Sequence, residues 1–72
     1  MNEELENYLF QNIRYLGEEG KVPREVIETM LDKGMINSPK QAWATLEKWD
    51  RKGLYEYGCC LDLGWKIKEV LK

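Results

Sequence analysis

The side chains best suited to binding a partner lie between positions 38 and 53. This segment carries four basic and two acidic residues, whereas positions 1–20 carry one basic and five acidic residues. On a helix, Gln41 can pair with adenine, Lys40 with guanine or phosphate, and Ala44 with a thymine methyl group. The pattern therefore indicates contact with double-stranded DNA, and the predicted contact residues are Lys40, Gln41, Ala44, Lys48, Arg51 and Lys52.

The same charges also fit a face that is merely solvated. The whole chain has a formal net charge of −2 and a pI of about 5.1, and phosphates would repel Glu47. Three or four phosphate contacts give weak, salt-sensitive binding unless a dimer doubles them. Charge and composition therefore leave the partner open.

Three aromatic side chains favour a protein partner instead. Trp43 falls between the inward and outward faces of its helix, Trp65 falls opposite an apolar face, and Tyr57 lies beside a turn. Trp is enriched at the centre of protein interfaces, although small domains also use it to cover the edge of a core. A protein partner or a homodimer that uses Trp43, Trp65 and Tyr57 is therefore the alternative.

The sequence lacks the residues that catalysis or metal binding would need. It has no His and only two cysteines, the adjacent Cys59 and Cys60, which are too few ligands for a structural zinc site. It also lacks a convincing nucleophile paired with a base, and a glycine-rich phosphate loop. We therefore expect no enzyme activity, no metal and no cofactor, and two free thiols rather than a strained vicinal disulfide.

Helical periodicity predicts two helices before the basic segment. The first spans positions 3–16, because Asn2 is a suitable N-cap and acidic residues in the first turn suit the helix dipole. Its apolar stripe consists of Leu5, Leu9, Ile13 and Leu16. The second helix begins at Pro23, whose fixed φ suits a first helical position, and ends at Gly34.

The basic segment itself predicts a third helix. Ser38 is its expected N-cap, and Gly53 is expected to end it. Ala42, Leu46 and Trp49 project from one side. The basic and amide side chains then lie on the opposite, outward side.

A hairpin and a last helix complete the predicted order. Positions 54–61 are rich in strand-forming residues around Gly58 and predict a short β-hairpin. Asp62 is the expected N-cap of a helix over positions 63–71, with Lys66 pointing away from its buried face of Leu63, Ile67, Val70 and Leu71. At 72 residues, and with no linker composition, the chain is expected to form one domain over positions 1–72.

The run "PREVIETMLDKGMINSPKQAWATLEKWDRKGLYEYG" and the following "LDLGWKIKEVL" resemble the winged helix-turn-helix superfamily of prokaryotic and phage regulators. The features that carry the resemblance are a Ser-capped helix, the "LDLG" step, and a helix ending formed by Leu46, Trp49, Gly53, Leu54 and Tyr55. The resemblance implies an α+β, mostly α fold with a three-helix core, a short β-hairpin wing and a C-terminal helix.

The resemblance also implies a function. It suggests a small DNA-binding transcriptional regulator with the helix over positions 38–52 as its recognition helix. The alternative on the same scaffold is a protein–protein interaction or dimerisation module without direct DNA binding. The turn around Tyr57 to Cys59 departs from the superfamily because it is short and carries no Arg or Lys, and the helix that dimerises many of these regulators is missing.

The location is predicted from what the chain lacks. Its apolar runs are far shorter than the ~20 residues of a membrane span. Its N-terminus, "MNEELENYLF", is acidic where a secretory signal is basic. We therefore expect a cytoplasmic protein that does not bind membranes.

Overall fold

The computed structural model describes residues 1–67 of the chain. Three α-helices come first, and a two-stranded antiparallel hairpin follows, with a short 3-10 turn in its connection. The elements are α1 (Glu3–Asn12), α2 (Pro23–Asp32), α3 (Pro39–Arg51), β1 (Tyr55–Glu56), the 3-10 turn (Leu61–Leu63) and β2 (Trp65–Lys66). The described part of the fold is therefore mostly helical α+β, as predicted.

Helix α1 is shorter than the predicted helix over positions 3–16. Asn2 caps it as predicted, since its Oδ1 accepts a backbone N–H of the first turn at 2.9 Å. The helix ends at Asn12 because the following residues run beside β2. The Lys66 N–H donates to the Arg14 carbonyl and the Leu16 N–H donates to the Lys66 carbonyl, each at 3.0 Å. Pairing with a distant strand overrides the local helical periodicity here.

Helices α2 and α3 begin and end close to the predicted positions. At the start of α2, the Glu25 carboxylate accepts from the backbone N–H of Val22 at 3.3 Å. At the start of α3, the Ser38 hydroxyl accepts from the backbone N–H of Lys40 at 3.2 Å. After α3, Gly53 adopts a φ of +77°, the left-handed conformation that commonly ends a helix.

The core lies where the three helices meet the hairpin. Helix α3 contributes Ala42, Leu46 and Trp49, each at most 1% exposed. The Phe10 ring of α1 meets the Trp49 indole edge-to-face, with centroids 5.2 Å apart, a geometry that adds about 0.5–1.5 kcal/mol beyond burial alone. Among the described residues, the buried hydrophobic ones are Leu9, Phe10, Ile13, Val26, Ile27, Met30, Ile36, Ala42, Leu46, Trp49, Leu54 and Tyr55.

The segment after β1 differs from the prediction. Strand β2 pairs antiparallel with β1, with Tyr55 opposite Lys66 and Glu56 opposite Trp65. The predicted hairpin over positions 54–61 therefore placed the return strand too early. The predicted helix over positions 63–71 is wrong as far as Ile67, and its remaining positions, 68–71, lie outside the described residues.

Buried Tyr55 gives the physical reason for this difference. Its hydroxyl accepts from the Gly64 N–H at 2.9 Å and donates to the Leu61 carbonyl, and burial raises the pKa of the hydroxyl. These two bonds stabilise the 3-10 turn in a position from which the chain continues as β2. Asp62 therefore lies within a turn. The prediction that it is the N-cap of a helix is wrong.

Lys66 is buried, whereas the sequence predicted that it points to solvent. The residue is only 4% exposed. Its Nζ donates to the Phe10 carbonyl and lies 4.9 Å from the centroid of the Phe10 ring and 4.3 Å from that of Tyr15. Burial lowers the pKa of the ammonium group, while the two ring faces and the carbonyl favour its charged form. Lys66 therefore ties β2 to α1.

Two glycines in the β1–β2 connection provide a matched test of this packing. A Cβ at Gly64 would stand within 3.0 Å of the Glu56 carbonyl oxygen and the Tyr55 hydroxyl, whereas a Cβ at Gly58 meets nothing within 4 Å. We expect Gly64→Ala to lower the free energy of unfolding by about 1–3 kcal/mol and Gly58→Ala to change it by less than about 0.5 kcal/mol. Urea unfolding of both variants measures this, and equal stabilities would contradict the described turn.

Candidate nucleic-acid interface on α3

The side of α3 opposite its buried residues faces solvent. Because a helix has 3.6 residues per turn, the burial of Ala42, Leu46 and Trp49 places a row of other residues on the outside. This outer row consists of Lys40, Ala44, Glu47 and Arg51, all of which are exposed. At 1.5 Å per residue the row is about 16 Å long, and a helix enters the major groove of B-DNA, which is about 12 Å wide.

Lys48 lies on the side of α3 that faces α1, outside the outer row. Its Nζ is 2.5 Å from Oε2 of Glu6, and the two side chains are 40% and 16% exposed. Helix α1 therefore neutralises one of the predicted DNA contacts. The sequence shows that α1 is acidic, but it gives no signal that Glu6 and Lys48 meet, because only tertiary packing brings α1 beside α3.

The other predicted DNA contacts are exposed. Gln41 lies in the first turns of α3, and Lys52 follows its last turn. The ion pairs found among residues 1–67 are Arg24–Asp62 and Lys48–Glu6. Within that part of the chain, Lys40, Arg51 and Lys52 are therefore in no ion pair. They place positive charge on or beside the outer row, which also holds the negative charge of Glu47.

An ion pair that the sequence did not predict lies beside the opposite flank of α3. Arg24 of α2 donates from Nε and Nη2 to the two carboxylate oxygens of Asp62, at 3.1 Å and 2.9 Å. The hydrogen bond from Arg24 holds the pKa of the Asp62 carboxyl below its usual range, and the Trp43 side chain of α3 lies beside the pair. Asp62 thus joins the β1–β2 connection to α2 next to α3. No local periodicity in the sequence relates these three residues.

The aromatic residues predicted as a partner interface occupy different surroundings. Trp43 is 38% exposed beside Asp62, and Tyr57 is 36% exposed. The Tyr57 ring stacks on Tyr55, with centroids 6.2 Å apart. Trp65 is half-buried under the Arg14 guanidinium, whose central carbon lies 4.8 Å from the ring centroid. Trp65 is therefore already engaged within the domain, and Trp43 and Tyr57 are the more accessible of the three.

The cysteines and carboxylates that the structure describes do not assemble a metal site. Cys59 is exposed, Cys60 is half-buried, and both are free thiols. Within residues 1–67, no group of three or more Cys, Asp or Glu side chains could hold a metal ion.

Comparison with known proteins finds no relative of this chain. No known protein family matches the chain, and no curated protein or solved structure is significantly similar to it. Within residues 1–67, no helix combines the length and apolar character needed to cross a membrane.

The Arg24–Asp62 pair predicts how stability depends on pH. Because the pKa of Asp62 is lower in the folded chain, its contribution to stability is present above the unfolded-state value of about 3.9 and is lost as pH falls through the folded value. Asn at this position can still accept hydrogen bonds but carries no charge. We expect Asp62→Asn to be less stable than the parent chain at pH 7, and the difference to shrink as pH falls below about 3.9. Thermal unfolding across this pH range measures the difference, and a difference that does not change with pH would contradict the Arg24–Asp62 ion pair.

Proposed function

We propose that the chain binds duplex DNA with α3 in the major groove, as a small regulator on a winged helix-turn-helix scaffold. The observation that carries the proposal is the outer row of α3, with Lys40 near one end and Arg51 at the other. A helix used for recognition must be packed firmly against the domain on its inner side and accessible to the partner on its outer side. The burial of Ala42, Leu46 and Trp49 and the exposure of the outer row meet both conditions.

The order of the elements supports the scaffold part of the proposal. Three helices precede an antiparallel hairpin, and the residues after α1 pair with β2 through an isolated bridge between Tyr15 and Lys66. This layout is compatible with a winged helix-turn-helix domain. Fold similarity alone does not establish function, so the DNA-binding part of the proposal depends on the chemistry of α3.

The exposed residues predicted as DNA contacts can each take a role in the groove. Lys40 and Gln41 lie at the N-terminal end and can donate to guanine and adenine edges, and Ala44 leaves room for a thymine methyl group. Arg51 and Lys52 lie at the other end and can bind phosphates, which position a helix without specifying sequence. We leave Lys48 out of the proposed contact set because Glu6 already pairs with it.

The charge balance sets the expected strength of binding. The formal net charge of −2 opposes approach to a polyanion, and Glu47 within the outer row adds local repulsion. Each phosphate contact contributes about 0.9 to the slope of log affinity against log salt. We therefore propose weak and strongly salt-sensitive binding by a single domain.

The second candidate is a protein-interaction module on the same scaffold. It is favoured by the exposure of Trp43 and Tyr57, two large aromatic side chains that accept a partner at little entropic cost. The two proposals place the contact differently. DNA binding uses the outer row, whereas protein binding uses the flank where Trp43 meets the β1–β2 connection.

A titration with fluorescein-labelled mixed-sequence duplex at low salt tests the DNA proposal. We expect binding below about 100 μM, the upper range of non-specific affinities. Ala44→Glu places a carboxylate in the outer row and is expected to weaken binding at least ~10-fold, since like charges across an interface are costly.

The matched control is Asn7→Glu. It makes the same charge change at an exposed position of α1 outside the outer row, and we expect it to weaken binding by less than ~2-fold, because water and salt screen a charge that does not touch the DNA. The absence of binding at about 100 μM, or an equal loss for the two variants, would refute recognition by α3.

A further inference from the structure

The connection between β1 and β2 has the wrong charge for contact with DNA. Its residues, 57–64, include no Lys or Arg, and the one charged residue among them is Asp62. At its tip, Tyr57, Gly58 and Cys59 are exposed but supply no cation. A segment that follows the phosphate backbone gains affinity from cations and loses it through carboxylates. Contact of this connection with a polyanion is therefore unfavourable.

The second half of the connection is fastened to the rest of the domain. Arg24 donates two hydrogen bonds to Asp62, at 2.9 Å and 3.1 Å. Arg14 donates to the Leu63 carbonyl at 3.1 Å, and the Tyr55 hydroxyl accepts a backbone N–H of the same segment at 2.9 Å. Side chains from α2, β1 and the segment that follows α1 therefore hold this half against the domain.

The first half of the connection packs against β1. The Tyr57 ring stacks on Tyr55 at an interplanar angle of 30°. The second half carries Asp62, which lies beside Trp43 of α3 with its charge paired to Arg24. The connection therefore brings no cation to this flank of the helix that is proposed to approach DNA.

We infer that the protein contacts duplex DNA through the major groove alone, and that the β1–β2 connection braces α2 against α3 without entering the minor groove. The inference rests on the proposed function. With Lys40 on a base edge, the inference limits the phosphate contacts proposed for the described residues to Arg51 and Lys52, and their contribution to the slope of log affinity against log salt is then about −1.8.

Two arginine substitutions of equal charge test where the DNA lies. Cys59→Arg places a cation at the exposed tip of the connection, and Ala44→Arg places one in the outer row. We expect Ala44→Arg to steepen the salt slope by about 0.9, the value of one further phosphate contact. We expect Cys59→Arg to leave the slope within about 0.3 of the parent chain, since its cation finds no phosphate. An equal steepening by Cys59→Arg would overturn the inference.

A competition experiment on the unmodified chain tests the same inference without relying on a variant. Netropsin, which occupies the minor groove of AT-rich duplexes, is added at saturation to the protein bound to such a duplex. We expect the dissociation constant to change by less than ~2-fold, because the protein makes no contact in the minor groove. The minor groove also distinguishes the base pairs poorly. Displacement by netropsin, with Ala44→Glu still weakening binding, would overturn this inference alone. If neither the unmodified chain nor any of the variants binds duplex DNA, both this inference and the proposed function are wrong.

Discussion

The burial of Ala42, Leu46 and Trp49 is the constraint on which the rest of the structure depends. These residues fix the rotation of α3 about its own axis, because each is at most 1% exposed and a turned helix would expose the Trp49 indole to water. Phe10 of α1 packs edge-to-face on that indole, so the first helix enforces the same rotation. The outer row and its charges follow from this packing. Any function of α3 therefore depends on a contact made on its opposite side.

Polar contacts add to the stability that the small apolar core provides. A chain of 72 residues buries a smaller share of its surface than a larger domain does, and here charged groups reach into the interior. Lys66 lies between two aromatic rings and donates to the Phe10 carbonyl, which joins the end of the described chain to α1. Arg24 and Asp62 join the hairpin connection to α2. Together these contacts hold the hairpin and its connection against α1 and α2, and α3 packs against the same elements.

The sequence predicted those parts of the fold that local rules determine. Pro23, Ser38 and Gly53 mark the ends of α2 and α3, because capping and proline geometry act within a few residues. The sequence failed where distant pairing decides the structure: α1 ends early because Leu16 pairs with Lys66, and the apolar spacing after Asp62 resembles a helix although Trp65 and Lys66 form a strand. The candidate site follows the same division. The outer row was predictable from the helix period, whereas the pairing of Lys48 with Glu6 depends on which helices become neighbours.

Contact between the outer row of α3 and duplex DNA is tested most directly by NMR of the 15N-labelled chain during titration with a short duplex. Amide shifts locate a contact on the backbone without any substitution. We predict that the largest changes fall on Lys40, Ala44 and Arg51, and that the tip of the hairpin connection and the exposed face of α1 change little. Changes centred on α1 or on the flank of Trp43 and Tyr57, with the outer row unaffected, would contradict it.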